Sequence, residues 1–598
     1  MNCYRRIYST LLRKQLSPGA HYNALKVVSG IQQIAIRTAS SSSPQPSQFP
    51  SSHSTPLWNV TQIQGDQRRT IVTVADLDRT QDGRERVVIL GSGWAGYPLA
   101  RELDHKKFQV VIVSPRSYFV FTPLLASTSV GTLEFRTALE PIRNRRNKAR
   151  YIQGWADDVD LFNKTITIEE AVADPNTSLA PTGCRNEGKD EVQMEYEKVS
   201  KSRRGQMFDL HYDKLIIGVG AYSQTFRTPG VREHAHFLKD VGDARKIRKR
   251  LLECFETAAL PTTPDSIRKQ ILHFAIVGGG PTGVEFSAEL YDLIHEDLVK
   301  IYPELLPHAK ISLYDVSPKV LTMFDDKLAK YAMDTFARGG IDIRTSKQIS
   351  SLSPGLPYTG GHAAGRVGLT LNVKGEDPQG VGMCIWSTGL MANPFIAKAL
   401  STIRRFPPKE VIFKDHYPQA EEAQWNIARD EKTGRIVTND RLRVVIDAPL
   451  PKDVEPLVTS VDPTKMSARL RDVFALGDCA FIQHTSYPAT AQVANQKAAW
   501  LAKRLNAGDM DRLGVDKFTY KSLGIMAYLG NAKAIVGGLG GLKRKSADGD
   551  RELNLSGRMA WLVWRGAYLA RSISWRNRVL IPVYWCLNWA FGRDISRF

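Results

Sequence analysis

The chain has 598 residues, enough for two to four domains that each bury a core, and its 42% hydrophobic content is that of a globular protein. No run of eighteen apolar residues is present, so a helix that spans a bilayer is not expected. The formal charge of +20 is concentrated at the ends: residues 1–65 hold six Lys or Arg and no acid, and residues 557–598 hold seven Arg against Asp594 alone, which speaks against a basic nucleic-acid-binding surface.

The first 65 residues are Arg-rich, Ser-rich and free of acids, with Arg5, Arg6, Arg13, Lys14 and Lys26 set among Leu, Ile and Tyr. That is the composition of a mitochondrial presequence, with a plain disordered tail as the alternative. The tract TASSSSPQPSQFPSSHSTP (38–56) cannot bury a core and reads as a disordered linker.

VVILGSGWAG (87–96) is an apolar strand that runs into Gly91, Gly93 and Gly96 and then into a helical pattern. This is the frame of a dinucleotide-binding unit. Its second strand, VVIVSPRSYF (110–119), ends in Ser114, Pro115 and Arg116, where an acid usually grips a ribose. Two ligands stay open on these residues: FAD, or NADP with Arg116 on its 2′-phosphate. Residues 171–207 form a polar insert and read as a surface excursion. YDKLIIGVGA (212–221) is an apolar strand closing on a small-residue turn at Gly220 and Ala221.

A second fingerprint follows in HFAIVGGGPTGVEFSAEL (273–290). Gly278 permits a tight turn, Gly280 lets the backbone approach a pyrophosphate, and Gly283 allows close helix–strand packing. The next strand, ISLYD (311–315), does end in an acid. Asp315 accepts from a ribose hydroxyl and repels a 2′-phosphate, which favours NADH over NADPH. GMCIWSTGL (382–390) repeats the closing pattern of 212–221 around Ser387, Thr388 and Gly389. DVFALGDCA (472–480) supplies the late Gly477–Asp478 turn whose acid serves the ribityl or pyrophosphate region of a flavin. The order flavin, NADH, flavin predicts an α/β fold with two nested Rossmann-like dinucleotide-binding domains.

The six cysteines are scattered, with no CxxC or CxxxxC, so neither a redox dithiol nor a zinc ribbon is expected. Residues 558–598 hold Trp561, Trp564, Trp575, Trp585 and Trp589. The first half reads as a helix. The second is an apolar run from Val579 to Phe591 with Pro582 in its first turn, too short to span. An Arg- and Trp-rich amphipathic pair of this kind suits a membrane interface; packing on the core or on a second subunit is the alternative.

LGSGWAG, VSPRSYFVFTPLL, VGGGPTGVE, FALGDCA, TAQVANQ and LGIMAYLG together resemble the signatures of the type II, or alternative, rotenone-insensitive NADH:ubiquinone oxidoreductases of mitochondria and bacteria. The resemblance runs from about Arg86 to the C-terminus. It implies FAD on Gly91, Ser92, Gly93, Trp94, Gly96, Ser114, Arg116, Thr122, Pro123, Gly220, Ala221, Gly477, Asp478 and Ala491. It implies NADH on Gly278, Gly279, Gly280, Gly283, Asp315, Thr388 and Gly389, with Glu285 at the nicotinamide end. It further implies ubiquinone at Gln492 and Tyr528, with Glu285 and Gln492 as the catalytic pair. In this reading Ser114 serves the adenosine ribose and Arg116 lies along adenine or pyrophosphate.

No metal is expected, and the calcium loop of some relatives, DxDxDG…E, is missing from the sequence. The expected division is presequence and linker at 1–65, an FAD-binding domain at 84–240 and 406–510, an NADH-binding domain at 241–405, and a quinone and membrane-anchoring α region at 511–598. Expected partners are the inner-membrane lipid surface, ubiquinone and a second copy through the C-terminal region, without nucleic acid. The competing expectations are a soluble FAD-dependent NAD(P)H reductase and an NADH-binding flavoprotein with a signalling role.

Overall fold

The computed structural model describes residues 73–144, 147–171, 205–357, 359, 366–400, 403–413, 422–449, 465–512, 514–538, 543–546, 549–552 and 554–596. The expected presequence, the linker and most of the 171–207 insert lie outside the described residues.

The first glycine fingerprint opens a parallel sheet. Strands β1 (Glu85–Leu90), β2 (Phe108–Ser114), β3 (Arg150–Asp160) and β4 (Lys214–Ile217) align in the order β4-β1-β2-β3. Ile89 stands between Ile112 and Ile216 in register. All three are fully buried, as expected of strands covered on both faces. The second fingerprint opens a separate parallel sheet of β5 (His273–Val277), β6 (Lys310–Tyr314), β7 (Asp342–Arg344) and β8 (Met383–Trp386), in the order β7-β6-β5-β8.

The chain then returns to the first sheet. Strand β9 (Lys465–Ala475) ends parallel to β4, which carries Gly477 and Asp478 to the first glycine loop. A Cβ on Gly477 would lie 3.3 Å from that of Ala95. The two closing turns that match in sequence also meet in space. Ala221–Ser223 and Leu390–Ala392 pair antiparallel, so Gly220 and Gly389 stand on one ribbon joining the two nucleotide units. Both glycines adopt the left-handed backbone, φ 70° and 71°.

The C-terminal region is a three-stranded antiparallel sheet, β10 (Ile525–Tyr528), β11 (Ala534–Gly537) and β12 (Leu555–Gly557), followed by two helices. One hydrophobic core runs through all three parts and includes Ile89, Phe274, Tyr528 and Trp564. This region is therefore no loose appendage. The last two helices, 558–571 and 575–591, are held together by the Arg565 guanidinium, which sits 4.2 Å from the Trp561 ring and 4.3 Å from that of Trp585.

Two expectations for this end change. The last helix starts at Trp575, not near Val579, because the Ser574 side chain caps it by accepting from the Asn577 N–H. Pro582 therefore falls in the helix interior rather than in its first turn. The tryptophans divide as well: Trp575 and Trp589 are exposed, whereas Trp564 is buried against the core. Among the described residues no helix is long and apolar enough to cross a membrane.

Candidate functional site

The two glycine loops have the same construction. Gly91 (φ 105°) passes so close to β4 that a Cβ would overlap the Gly218 carbonyl, and one on Gly96 would overlap the carbonyl of Gly91. Gly278 (φ 117°) and Gly283 are tied in the same way to Ser387 and to Gly278 itself. By contrast, Gly93 and Gly280 face open space, with nothing within 4 Å of a Cβ. Outer glycines that lock the turn and a middle one that leaves room form a pyrophosphate cradle at a helix N-terminus.

In the first unit the Ser92 and Ser114 hydroxyls lie 2.9 Å apart, both buried, so Ser114 braces the glycine loop. Trp94 donates through Nε1 to Thr122 Oγ1 at 3.1 Å, which ties the loop to the turn that Pro123 occupies. Arg116 is anchored rather than free. It pairs through Nη1 with the buried Asp240 at 2.7 Å, and Tyr118 donates to the other Asp240 oxygen at 3.0 Å.

Asp478 is partly buried and takes no hydrogen bond from a described residue, yet Lys239, Arg435 and Lys497 surround it. Burial raises its carboxyl, and the three cations oppose that rise. Lys239 donates to the Ala221 carbonyl at 2.8 Å, and burial pulls its ammonium down to about 8. Lys497 is pulled down to about 8 by burial as well. Neither lysine carries a sequence signal, because each is defined by chain segments that meet only in the fold. An open cradle at Gly93 and an unbonded acid beneath it fit the pyrophosphate and hydroxyl groups of FAD.

In the second unit the Asp315 carboxylate accepts from the Gly279 N–H at 2.5 Å and from the Ser317 N–H at 2.7 Å. It therefore fixes the glycine loop while standing at the strand end where a ribose binds. Thr388 and Gly389 follow β8 at the mouth of the same unit.

Glu285 lies on helix 281–292, directly after the second cradle, and is buried. Its Oε1 accepts from the Tyr528 backbone N–H at 3.2 Å and from Trp564 Nε1 at 3.1 Å. Burial pushes its carboxyl up to about 8, against the pull of these two donors. Tyr528 stacks on Trp564, with ring centroids 5.3 Å apart, and donates its hydroxyl to Asp292 at 2.5 Å. Burial pushes Asp292 up to about 7. One turn back, Glu289 takes the hydroxyls of Ser127 and Thr132, each at 2.6 Å. Glu285, Glu289 and Asp292 thus form a buried acidic face against the C-terminal region.

A cavity of about 1690 Å³ lies where the three parts meet. Trp94, Phe121 and Pro123 line it from the first unit, Pro281 and Thr282 from the second, Ala491 and Gln492 from the returning helix, and Tyr520, Tyr568 and Arg571 from the C-terminal region. Tyr528 does not line it: Ile525 and Met526 form the wall there, and Tyr528 points inward to Asp292. Its hydroxyl bond to Asp292 holds that side chain away from the place expected of it. Gln492 does line the cavity, but most of its amide is engaged by residues 520–524.

Residues 85–410 match the family of pyridine nucleotide-disulphide oxidoreductases, and residues 522–594 match the NDH2 C-terminal domain. A probable NADH dehydrogenase of Dictyostelium discoideum is 32% identical over 520 residues, covering 86% of this chain and 91% of that one. The external NADH-ubiquinone oxidoreductase 2 of Saccharomyces cerevisiae mitochondria is 33% identical over 548 residues, covering 86% and 82%. The solved structure of NDH2 from Plasmodium falciparum in complex with NADH has the same fold, with TM-score 0.64 at 22% identity over 86% of this chain and all of that one. With two nucleotide cradles, a cavity between them and the C-terminal sheet, and relatives of this likeness over nearly their whole length, the chain belongs to the type II, or alternative, NADH–ubiquinone oxidoreductases.

Proposed function

We propose that the cavity where the three parts meet is the place at which electrons taken from NADH in the second cradle leave for ubiquinone. The chain is an FAD-dependent NADH:ubiquinone oxidoreductase of mitochondria. The overall reaction, NADH + H⁺ + quinone → NAD⁺ + quinol, takes one proton besides the hydride. When bound, FAD would supply a two-electron carrier between NADH and the quinone. The first glycine loop, Ser92, Trp94, Gly220 and Asp478 would hold it, and Ser114 and Arg116 brace that site from behind. Gly278 to Gly283 and Asp315 hold NADH.

Glu285 is the observation that carries the reading. A carboxyl pushed up to about 8 is protonated at neutral pH. Its Oε1 is occupied by two N–H donors, so the proton resides on Oε2. The group is an acid at the end of the NADH cradle, covered by Trp564 and set behind the cavity lining, and it is proposed as the source of the proton that the quinone requires. Tyr528 supports this acid rather than touching quinone. The test is to mix anaerobic NADH-reduced protein with a short-chain ubiquinone. Reoxidation is expected to slow by at least about tenfold in Glu285→Gln, in line with the usual worth of a positioned acid. A Glu285→Gln protein that reoxidises at the normal rate removes Glu285 from the proton step.

The surface of the last two helices suits a lipid boundary. Trp575, Val579, Val583 and Leu587 recur every four residues along the last helix and are all exposed, as are Trp589 and Phe591. Arg571 and Arg578 line the cavity at the turn between the two helices, beside Trp575. A quinone dissolved in lipid enters there. Replacing Trp575, Val579 and Trp589 with Ser is expected to abolish co-flotation with anionic phospholipid vesicles while flavin bleaching by NADH persists. Loss of a dimer with vesicle binding intact would assign this face to a second copy instead.

A further inference from the structure

Two glutamines one turn apart on helix 491–507 grip the segment that enters the C-terminal sheet. Gln496 gives Nε2 to the Lys521 carbonyl at 2.8 Å and takes the Lys521 N–H on Oε1 at 3.0 Å. Gln492 does the same one step along, with Nε2 on the Gly524 carbonyl at 2.9 Å and Oε1 under the Leu523 N–H at 3.0 Å. These backbone groups have fixed roles, so both amides are fixed in orientation.

Gln492 differs from Gln496 by one further contact. The Tyr520 hydroxyl donates to Gln492 Oε1 at 2.8 Å. Both lone pairs of that oxygen are then filled, and among the described residues only the second N–H of Nε2 is left over. Tyr520 and Gln492 both line the cavity. Gln492 therefore meets a cavity ligand as a hydrogen-bond donor and never as an acceptor.

We infer that Tyr520 is a positioning residue that makes Gln492 a pure donor, and so biases the cavity toward oxidised quinone over the quinol product. The inference rests on the reading that quinone occupies this cavity. A quinone carbonyl is an acceptor only and matches the N–H. A quinol hydroxyl is a weaker acceptor and also a donor, and the filled Oε1 offers its proton no partner on Gln492. Removing the Tyr520 hydroxyl returns one lone pair to the cavity wall, where a quinol can use it.

The test is Tyr520→Phe, which deletes one oxygen and keeps the ring that packs edge-on to Tyr487 at 5.6 Å. Three quantities are measured on the FAD-loaded full chain: KM for a short-chain ubiquinone, Ki for its quinol, and the infrared carbonyl shift of bound ¹³C-labelled quinone. The ratio of Ki to KM is expected to fall by about three- to tenfold, the worth of one neutral hydrogen bond, and the carbonyl shift to shrink. Flavin bleaching by NADH in the same samples separates this effect from a general folding defect. Gln492→Ala tests the underlying reading: if it leaves quinone kinetics and the carbonyl band unchanged, quinone does not sit beside Gln492 and the inference falls with that reading. If Gln492→Ala alters them and Tyr520→Phe keeps the wild-type ratio and band, the positioning role alone is overturned.

Discussion

Glu285 holds its proton because two residues from distant parts of the chain enclose it. Helix 281–292 supplies the acid, while Tyr528 and Trp564 supply both the cover and two N–H donors. Burial raises the carboxyl from its ordinary 4.5 to about 8. Between those values the folded protein keeps a proton that the unfolded chain releases. The stability that Glu285 contributes is therefore full below about pH 4.5 and is lost as pH rises to about 8. Glu285→Gln is expected to flatten that part of the stability–pH curve in chemical unfolding. In turnover, the alkaline limb of quinone reduction by the wild type is expected near pH 8. Trp564→Phe removes a donor that favours the carboxylate, so the limb moves to higher pH; a limb that moves down or stays put contradicts the assignment.

The cradles behave as two copies of one element, and the glycines within each are not equivalent. A side chain at Gly96 collides with the Gly91 carbonyl, so Gly96→Val is expected to yield protein without bound flavin, read from its visible spectrum. Gly280 faces open space, so Gly280→Val is expected to fold and keep its flavin. Its KM for NADH rises by at least about tenfold, because the added methyls fill the space where the pyrophosphate meets the helix N-terminus. Loss of flavin from Gly280→Val would show that the two cradles are not independent.

Both loops were legible in the sequence because strand, glycines and helix are contiguous, and Asp478 was legible as the third part of a nested order. The C-terminal helices were legible as Arg- and Trp-rich, but not in which face they bury. In the sequence nothing separates Trp564 from the other tryptophans of this end, because its indole is committed to Glu285, 279 residues away. Tyr520 and Gln496 gave no signal of these roles, because the roles consist of hydrogen bonds to another element: Tyr520 to the Gln492 side chain and Gln496 to the Lys521 backbone. Tyr528 is expected beside the quinone from its motif, but its hydroxyl is bonded to Asp292 and it does not line the cavity.

At the scale of the whole molecule, the C-terminal region is both a surface and a wall of the active site. Deleting residues 557–598 removes the exposed apolar face and also uncovers Glu285, since Trp564 goes with it. The truncated protein is expected to lose vesicle binding and to melt at a lower temperature, with Glu285 relaxing toward an ordinary carboxyl. A region that served only as an anchor would leave melting and the pH profile unchanged. The Arg593 guanidinium, bonded to Asp297 at 2.6 Å and to Thr132 at 3.0 Å, fastens the end of the chain across both nucleotide units. The central claim is that one cavity joins a fixed flavin, NADH and a lipid-borne quinone. It is tested most directly by the visible spectrum of the anaerobic, FAD-loaded protein during addition of NADH and then ubiquinone. The flavin band is expected to bleach with the first and to return in full with the second; a band that bleaches with NADH and stays bleached until oxygen is admitted contradicts the claim.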